Sequence, residues 1–320
     1  MLLKLTHKTD LTYSDLINES VMELRMAPRQ EQDQHRLSFN LAIGPPTSAH
    51  SYFDWVGNTV HWFTVASFHK EIRIVATSVV ETDRPVPDLR KLPDTWPVKA
   101  GDMDYALYDF THFRGPIIDS EPLRQLVEHI KPQRGESLGG LGLRMLDVIK
   151  EKFTFKKGVT KATSPVTEIL TKGAGVCQDF TQLMIAAARA MGIPARYVSG
   201  LVHPDSSQYL GATETHAWCE LLFPSTGWIG LDPANHRLVG ANYVKVAVGR
   251  DYLDIAPNKG RYTGKVTESI VVTVTSEELP QIPPELAAER VQSLAVPTYS
   301  SASMGQIDPN QQTEHQQQQQ

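Results

Sequence analysis

The sequence predicts an α+β core, helices first and an antiparallel sheet after them, preceded by an all-β, sandwich-like N-terminal domain. Three observations predict this. Residues 1–81 hold short runs of β-branched and aromatic residues divided by turn signals. From residue 103 the apolar spacing changes to three and four. Beyond Gly192 and Pro194 strand-like runs return, and helices followed by strands make an α+β unit.

Taken in order, LLKLTHKTDLTY, SVMELRMAP, HRLSFNLAI, NTVHWFTV and EIRIVATSVVE read as strands, punctuated by Pro28, Gly44-Pro45-Pro46 and Gly57-Asn58. Residues 82–102 open on TDRPVPD and read as a linker. In the core, 103–279, DYALYDFTHF, EPLRQLVEHI and LGGLGLRMLDVIKEKF carry helical spacing, with Asp119-Ser120 as a cap and Pro122 in the first turn. A polar loop at 156–166 leads to a short helix around Thr167–Leu170 and then to Gly173-Ala-Gly175. The central helix starts at or just before Cys177. Its Phe180, Leu183, Met184, Ala187 and Met191 form one stripe, Gly192 is a natural residue past its end, and Pro194 prevents continuation. ARYVSGLV, THAWCELLF and GWIGLD follow as strands, with another at KVTESIVVTVT. Residues 280–320 turn to Pro, Ser and Gln and read as a disordered tail, with a marginal helix at Glu285–Leu294.

At 320 residues the chain is long enough for two domains and a sizeable core. Its 31 basic and 36 acidic residues leave a net charge of −5, too small and too scattered to point to a nucleic-acid or membrane-surface partner. MLLKLTHKTDLTYS lacks the apolar run of a secretory signal, and no stretch reaches about 20 apolar residues, so no membrane span and a cytoplasmic location are expected. Two cysteines, Cys177 and Cys219, build no disulfide framework.

Cys177 lies between a glycine-rich approach and an amphipathic helix. Unpaired N–H groups and the macrodipole at a helix N-terminus favour a thiolate. The Cys177 N–H is also placed to help bind an oxyanion. His216 opens the strand HAWCELL, where alternation puts His216, Trp218 and Glu220 on one face and Ala217, Cys219 and Leu221 on the other. An imidazole held on a strand and facing the thiol takes its proton and returns it to a leaving amine. GWIGLD ends at Asp232, and Pro233 stops pairing. A carboxylate on the neighbouring strand fixes the imidazole tautomer and stabilises the imidazolium. Each residue alone has an ordinary structural use; the three placements together point to thiol chemistry.

GAGVCQDFTQLMIAAARAMGIPARYVSG, THAWCEL and GWIGLDPAN resemble the bacterial transglutaminase-like superfamily of candidate cysteine proteases, most closely through Gly175–Phe180 and Gly192–Gly200. LRMAPRQ at 24–30 and YFDWVGN at 52–58 are similar to the bacterial transglutaminase-like N-terminal region. The resemblance spans residues 1 to about 275. It implies a papain-like transglutaminase core in which Cys177 is nucleophile, His216 base and Asp232 orienting acid. The implied chemistry is a Cys177 thioester formed from a peptide or carboxamide, with a protein or peptide as substrate. Cys219, where an aliphatic residue is usual, and Phe155, where tyrosine is frequent, depart from the pattern.

Around this set, Trp218 is placed as a wall of the acyl site, with ordinary packing as the competing reading. Asp179 reads as a cap near the helix start, Arg196 as the partner of a carboxylate, and Asn235 as a turn residue. His203, His236 and the histidines of the N-terminal domain read as surface residues. No CxxC or HxxxH pair and no calcium-loop pattern occurs, so no metal or cofactor is expected. A non-catalytic binding or scaffolding module would be marked by a missing triad member, and all three are present.

Overall fold

The computed structural model describes residues 1–99, 105–204, 210, 214–299 and, as backbone, 312–316. The N-terminal domain supplies β1 (Leu2–Leu24), β2 (Gln34–Gly44), β3 (Ala49–Phe53), β4 (Thr59–Val65) and β5 (His69–Thr82). The two N-terminal runs read separately from sequence are one 23-residue strand. Its buried positions alternate from Leu3 to Leu11, and its register shifts between Thr12 and Ile17 and again between Asn18 and Val21. Such irregularities bend a strand. The first part of β1 therefore pairs with β5, and the last part with β4. The sheet folds over a core that includes Leu11, Ile17, Met22, Leu24, Phe63 and Ile72, which gives the sandwich-like form.

The second unit contains α1 (Glu121–Ile130), α2 (Leu138–Lys152), β6 (Thr154–Phe155), α3 (Val166–Lys172), β7 (Ala174–Gly175) and α4 (Cys177–Ala190). Ser120 and Ser137 cap α1 and α2 by accepting from Leu123 N–H and Gly140 N–H. The strands β8 (Ala195–Val202), β9 (His216–Phe223), β10 (Gly227–Asp232), β11 (Arg237–Leu238) and β12 (Tyr243–Gly249) form one antiparallel sheet in the order β11-β10-β9-β8-β12. α4 lies on this sheet beneath the other helices. It was expected to bury one stripe, but every residue from Cys177 to Arg189 is buried, because α4 is packed by the sheet on one side and by α1, α2 and α3 on others.

Two further differences concern the end of the chain. After α5 (Tyr252–Ile255), β13 (Asn258–Thr263) and β14 (Glu268–Glu278) return to the N-terminal sheet. There β13 pairs with the last part of β1, and β14 with Leu3–Tyr13. ESIVVTVTSEE announces a strand but not its partner, and chain order alone groups the segment with the core. In the tail, β15 (Arg290–Ser293) replaces the expected helix and lies parallel to Asn40–Ile43 of β2, whose open edge offers main-chain hydrogen bonds irrespective of side-chain period. β16 (Gln312–Gln316) pairs with β13. The rest of the predicted tail, 300–311 and 317–320, lies outside the described residues.

The two units share an apolar seam. Leu3, Leu5, Val80 and Val274 from the N-terminal sheet pack against Leu201, Val244 and Val246 from the core sheet. Two N-terminal histidines depart from the surface reading. His7 is buried, and burial lowers its pKa to about 4. His69 is also buried and bonds to Ser20 Oγ at 2.9 Å.

Candidate active site

Cys177 is the first residue of α4 and retains 7% of its exposure. The preceding backbone is held by Asp179, whose carboxylate accepts from Val176 N–H at 2.8 Å and from Thr160 Oγ–H at 2.6 Å. Asp179 thus acts as the cap expected of it. Burial raises its pKa, and these two donors partly offset the rise. The same carboxylate sits so close to Gly175 that a Cβ there would meet Asp179 at 2.7 Å. The turn before the thiol therefore requires glycine.

His216 is the first residue of β9 and Asp232 the last of β10, and both are fully buried. His216 Nε2–H donates to Asp232 Oδ2 at 2.7 Å. The other ring nitrogen, Nδ1, is buried with no hydrogen-bond partner among the described residues, and Cys177 is near enough to act on the charge of the ring. Burial alone would lower the His216 pKa. The Asp232 charge and hydrogen bond, aided by an interaction with Cys177, reverse this and raise it to about 10. Burial would raise Asp232, yet the His216 charge and the donors from His216, Asn235 and Tyr243 hold it below its ordinary value.

The carboxylate is held by more than the imidazole. Oδ1 accepts from the N–H groups of Ala234 (3.0 Å) and Asn235 (3.1 Å), and Oδ2 accepts from Asn235 Nδ2 (2.8 Å) and Tyr243 Oη (2.8 Å). Asn235 does serve its turn, and it also joins the site, passing 3.3 Å from His216 Nε2. Tyr243 is the residue that sequence reasoning missed. The alternating run YVKVAVG signals its strand, but no local feature says that its hydroxyl reaches a carboxylate.

Alternation along β9 is as expected, but the faces serve differently. Ala217, Cys219 and Leu221 belong to the core shared with α4, so Cys219 lies on the helix side. His216 stands at the strand end with Trp218 and Tyr243 on the opposite face, where the Trp218 and Tyr243 rings meet edge-on at 5.3 Å. Both cysteines are free. They share one apolar cluster, so separation onto different faces is not what keeps them apart. Cys219 Sγ instead lies 3.5 Å from the Leu231 carbonyl oxygen. Trp218 has no exposed surface, which corrects its placement as a substrate wall: it packs beneath the histidine.

Arg196 takes the carboxylate expected of it, pairing with Glu220 at 2.6 Å. Lys245 meets the same carboxylate at 2.6 Å. Glu220 is buried, and these two cations overcome the burial penalty and lower its pKa to about 2. His236 bonds to Asp147 at 2.7 Å and His203 to Ser276 at 2.9 Å, both away from the His216–Asp232 pair. Among the described residues, no group of three or more His, Cys, Asp or Glu side chains is arranged to hold a metal ion.

The family models for the transglutaminase-like superfamily and the bacterial transglutaminase-like N-terminal region match residues 128–233 and 3–81. The chain belongs to the transglutaminase-like superfamily. Cys177, His216 and Asp232 all lie within its core match, and members of the superfamily are typically cysteine enzymes. An uncharacterized protein of Mycobacterium tuberculosis is 32% identical over 295 residues, covering 87% of this chain and 92% of its own. A protein-glutamine gamma-glutamyltransferase of Pseudomonas aeruginosa is 30% identical over 122 residues, which is 35% of this chain and 18% of that one. Among solved structures, a candidate cysteine protease from Cytophaga hutchinsonii superposes with a TM-score of 0.71 at 23% identity, over 88% of this chain and 93% of that chain. That likeness extends the shared fold across both units. No helix among the described residues is long and apolar enough to cross a membrane.

Proposed function

We propose that the protein is a cysteine-dependent acyl-transfer enzyme that opens peptide or carboxamide bonds through a Cys177 thioester. The observation that carries the reading is the buried His216–Asp232 pair with one imidazole nitrogen left over, beside a cysteine at a helix N-terminus. The raised His216 pKa favours the imidazolium, so the proton from the Cys177 thiol rests on Nδ1 and the thiolate attacks the substrate carbonyl carbon. The oxyanion is met by the Cys177 N–H, one of the first-turn donors that lack an intrahelical acceptor. His216 returns the proton to the departing amine, which leaves an acyl-enzyme.

Water as the second nucleophile gives a protease or amidase, the outcome we favour. An amine gives transamidation, the activity in the name of the P. aeruginosa relative. The protein or peptide substrate and a cytoplasmic location belong to the same proposal.

Iodoacetamide labelling between pH 5 and 9, followed by mapping of the modified cysteine, tests it. Fast, selective labelling of Cys177, slowed in His216→Ala, is expected. Equal slow labelling of Cys177 and Cys219 would refute it. Ammonia or peptide release, measured with and without an added primary amine, then separates hydrolysis from transamidation.

A further inference from the structure

In the sheet order, β12 is an edge strand, and its outer edge would be left open by the core alone. The N-terminal domain and the segment just after β5 close it with single residues instead of a strand. Gln34 bonds both main-chain groups of Lys245, donating to its carbonyl and accepting from its N–H, each at 2.7 Å. Asn58 does the same at Val248, at 2.7 and 2.8 Å. Arg29 N–H donates to the Lys245 carbonyl at 3.0 Å. Thr82 Oγ–H reaches the Ala241 carbonyl, and Arg84 Nη1 donates to the carbonyl of Tyr243 itself at 3.1 Å. Asn58 is tied in turn to Arg29 at 2.7 Å and Asp54 at 2.9 Å.

These bonds converge on the strand that carries Tyr243. β8 separates β12 from β9, and at the crossing stands Gly200, paired with His216. A Cβ there would come within 2.3 Å of the Trp218 ring and of the Val244 carbonyl. The missing side chain leaves room for Trp218 and Tyr243 to pack across β8, and the phenol continues to Asp232 Oδ2.

We propose that Tyr243 is a positioning residue for the Asp232–His216 pair, and that the N-terminal domain sets its place by completing the edge of β12. The phenol O–H and Asn235 Nδ2 both donate to Oδ2, and together they fix the orientation in which it accepts from His216 Nε2–H. The domain that resembles an accessory module is on this account part of the catalytic frame. The proposal rests on the Cys177 reading above.

The test uses the full chain and an iodoacetamide probe, so it requires no known substrate. Tyr243→Phe keeps the ring and removes the hydroxyl, and is expected to slow Cys177 alkylation roughly tenfold, the size of one lost hydrogen bond to a charged group. Asn58→Ala is expected to slow it roughly threefold, and to add nothing in a Tyr243→Phe background, because both changes act on one contact. Arg84→Gln provides the same arm should Asn58→Ala fail to fold. The His216 Nε2–H proton resonance is expected to move in each single variant. An unchanged rate in Tyr243→Phe, or additive effects in the double variant, would overturn the proposal. An unchanged rate in His216→Ala, by contrast, would remove the Cys177 reading itself.

Discussion

At the scale of single residues, the site rests on two charges buried together. Asp232→Asn preserves the shape of the side chain but removes the charge that stabilises the imidazolium and fixes its tautomer. Removing the charge of an orienting carboxylate in this way costs a catalytic triad on the order of 10⁴-fold in rate. A fall of about that order is expected in thioester formation, read by a stopped-flow acylation assay; a loss below tenfold would deny Asp232 its role. Stability carries a second signature. The His216 pKa is raised from 6.5 to about 10, so its share of the pair's stabilisation is complete below about pH 6.5 and is lost as pH rises towards 10. The Asp232 pKa is lowered from 3.8, so its share is present above that value and is lost as pH falls through the lower folded value. The melting-temperature gap between the native chain and His216→Gln should therefore be widest near pH 5–6 and narrow by pH 10. A gap that stays constant would contradict the pair. Cys219→Ala should leave the Cys177 labelling rate unchanged, since Cys219 faces the helix core and serves no step. The places of Cys177, His216 and Asp232 on their elements were legible because each carries a local signature: a glycine approach to a helix, a strand start, a strand end before proline. Tyr243 was not, because its role exists only across three strands.

At the scale of elements, α4 shows how a polar residue secures an apolar helix. Asp179 supplies the acceptor that the first turn lacks, and Asp179→Ala is expected to cost about 1 kcal/mol of stability in urea unfolding. The loss should come with slower Cys177 labelling, because the turn that presents the thiol loosens. The helices α1, α2 and α4 were readable from spacing and caps, and β8, β9 and β10 from their runs. What spacing did not reveal was how fully α4 is enclosed. A sequence stripe records the most apolar face, whereas Gln178, Asp179, Thr181 and Gln182 are buried by neighbours that arrive from elsewhere in the chain. Gly200 makes the complementary point for a strand. Gly200→Ala would force a methyl into the Trp218 ring, and overpacking of this kind costs about 1–3 kcal/mol or more. A lowered melting temperature with slowed labelling is expected; an unchanged protein would mean that the β8 crossing is looser than described.

At the scale of the whole molecule, the two units are interleaved. The chain starts in the N-terminal sheet, builds the core, and returns to lay β13 and β14 against β1. Gln34 and Asn58 then close the core sheet from outside. A chain that returns to its first sheet and an apolar seam between the two sheets predict one cooperative transition in calorimetry. Two resolved transitions would show the units to be independent.

The sequence by itself determined the fold class, the helices and the strands β8, β9 and β10 of the core, and the order of the three candidate residues Cys177, His216 and Asp232. Local rules suffice for these, since capping, alternation and proline stops act within a few residues. Only the tertiary structure decided which face of β9 meets α4, which sheet receives β14, where the end of the chain pairs, and that Tyr243 and Asn235 complete the carboxylate's shell. Those outcomes depend on partners far apart in the chain, and a residue's own neighbourhood holds no record of them.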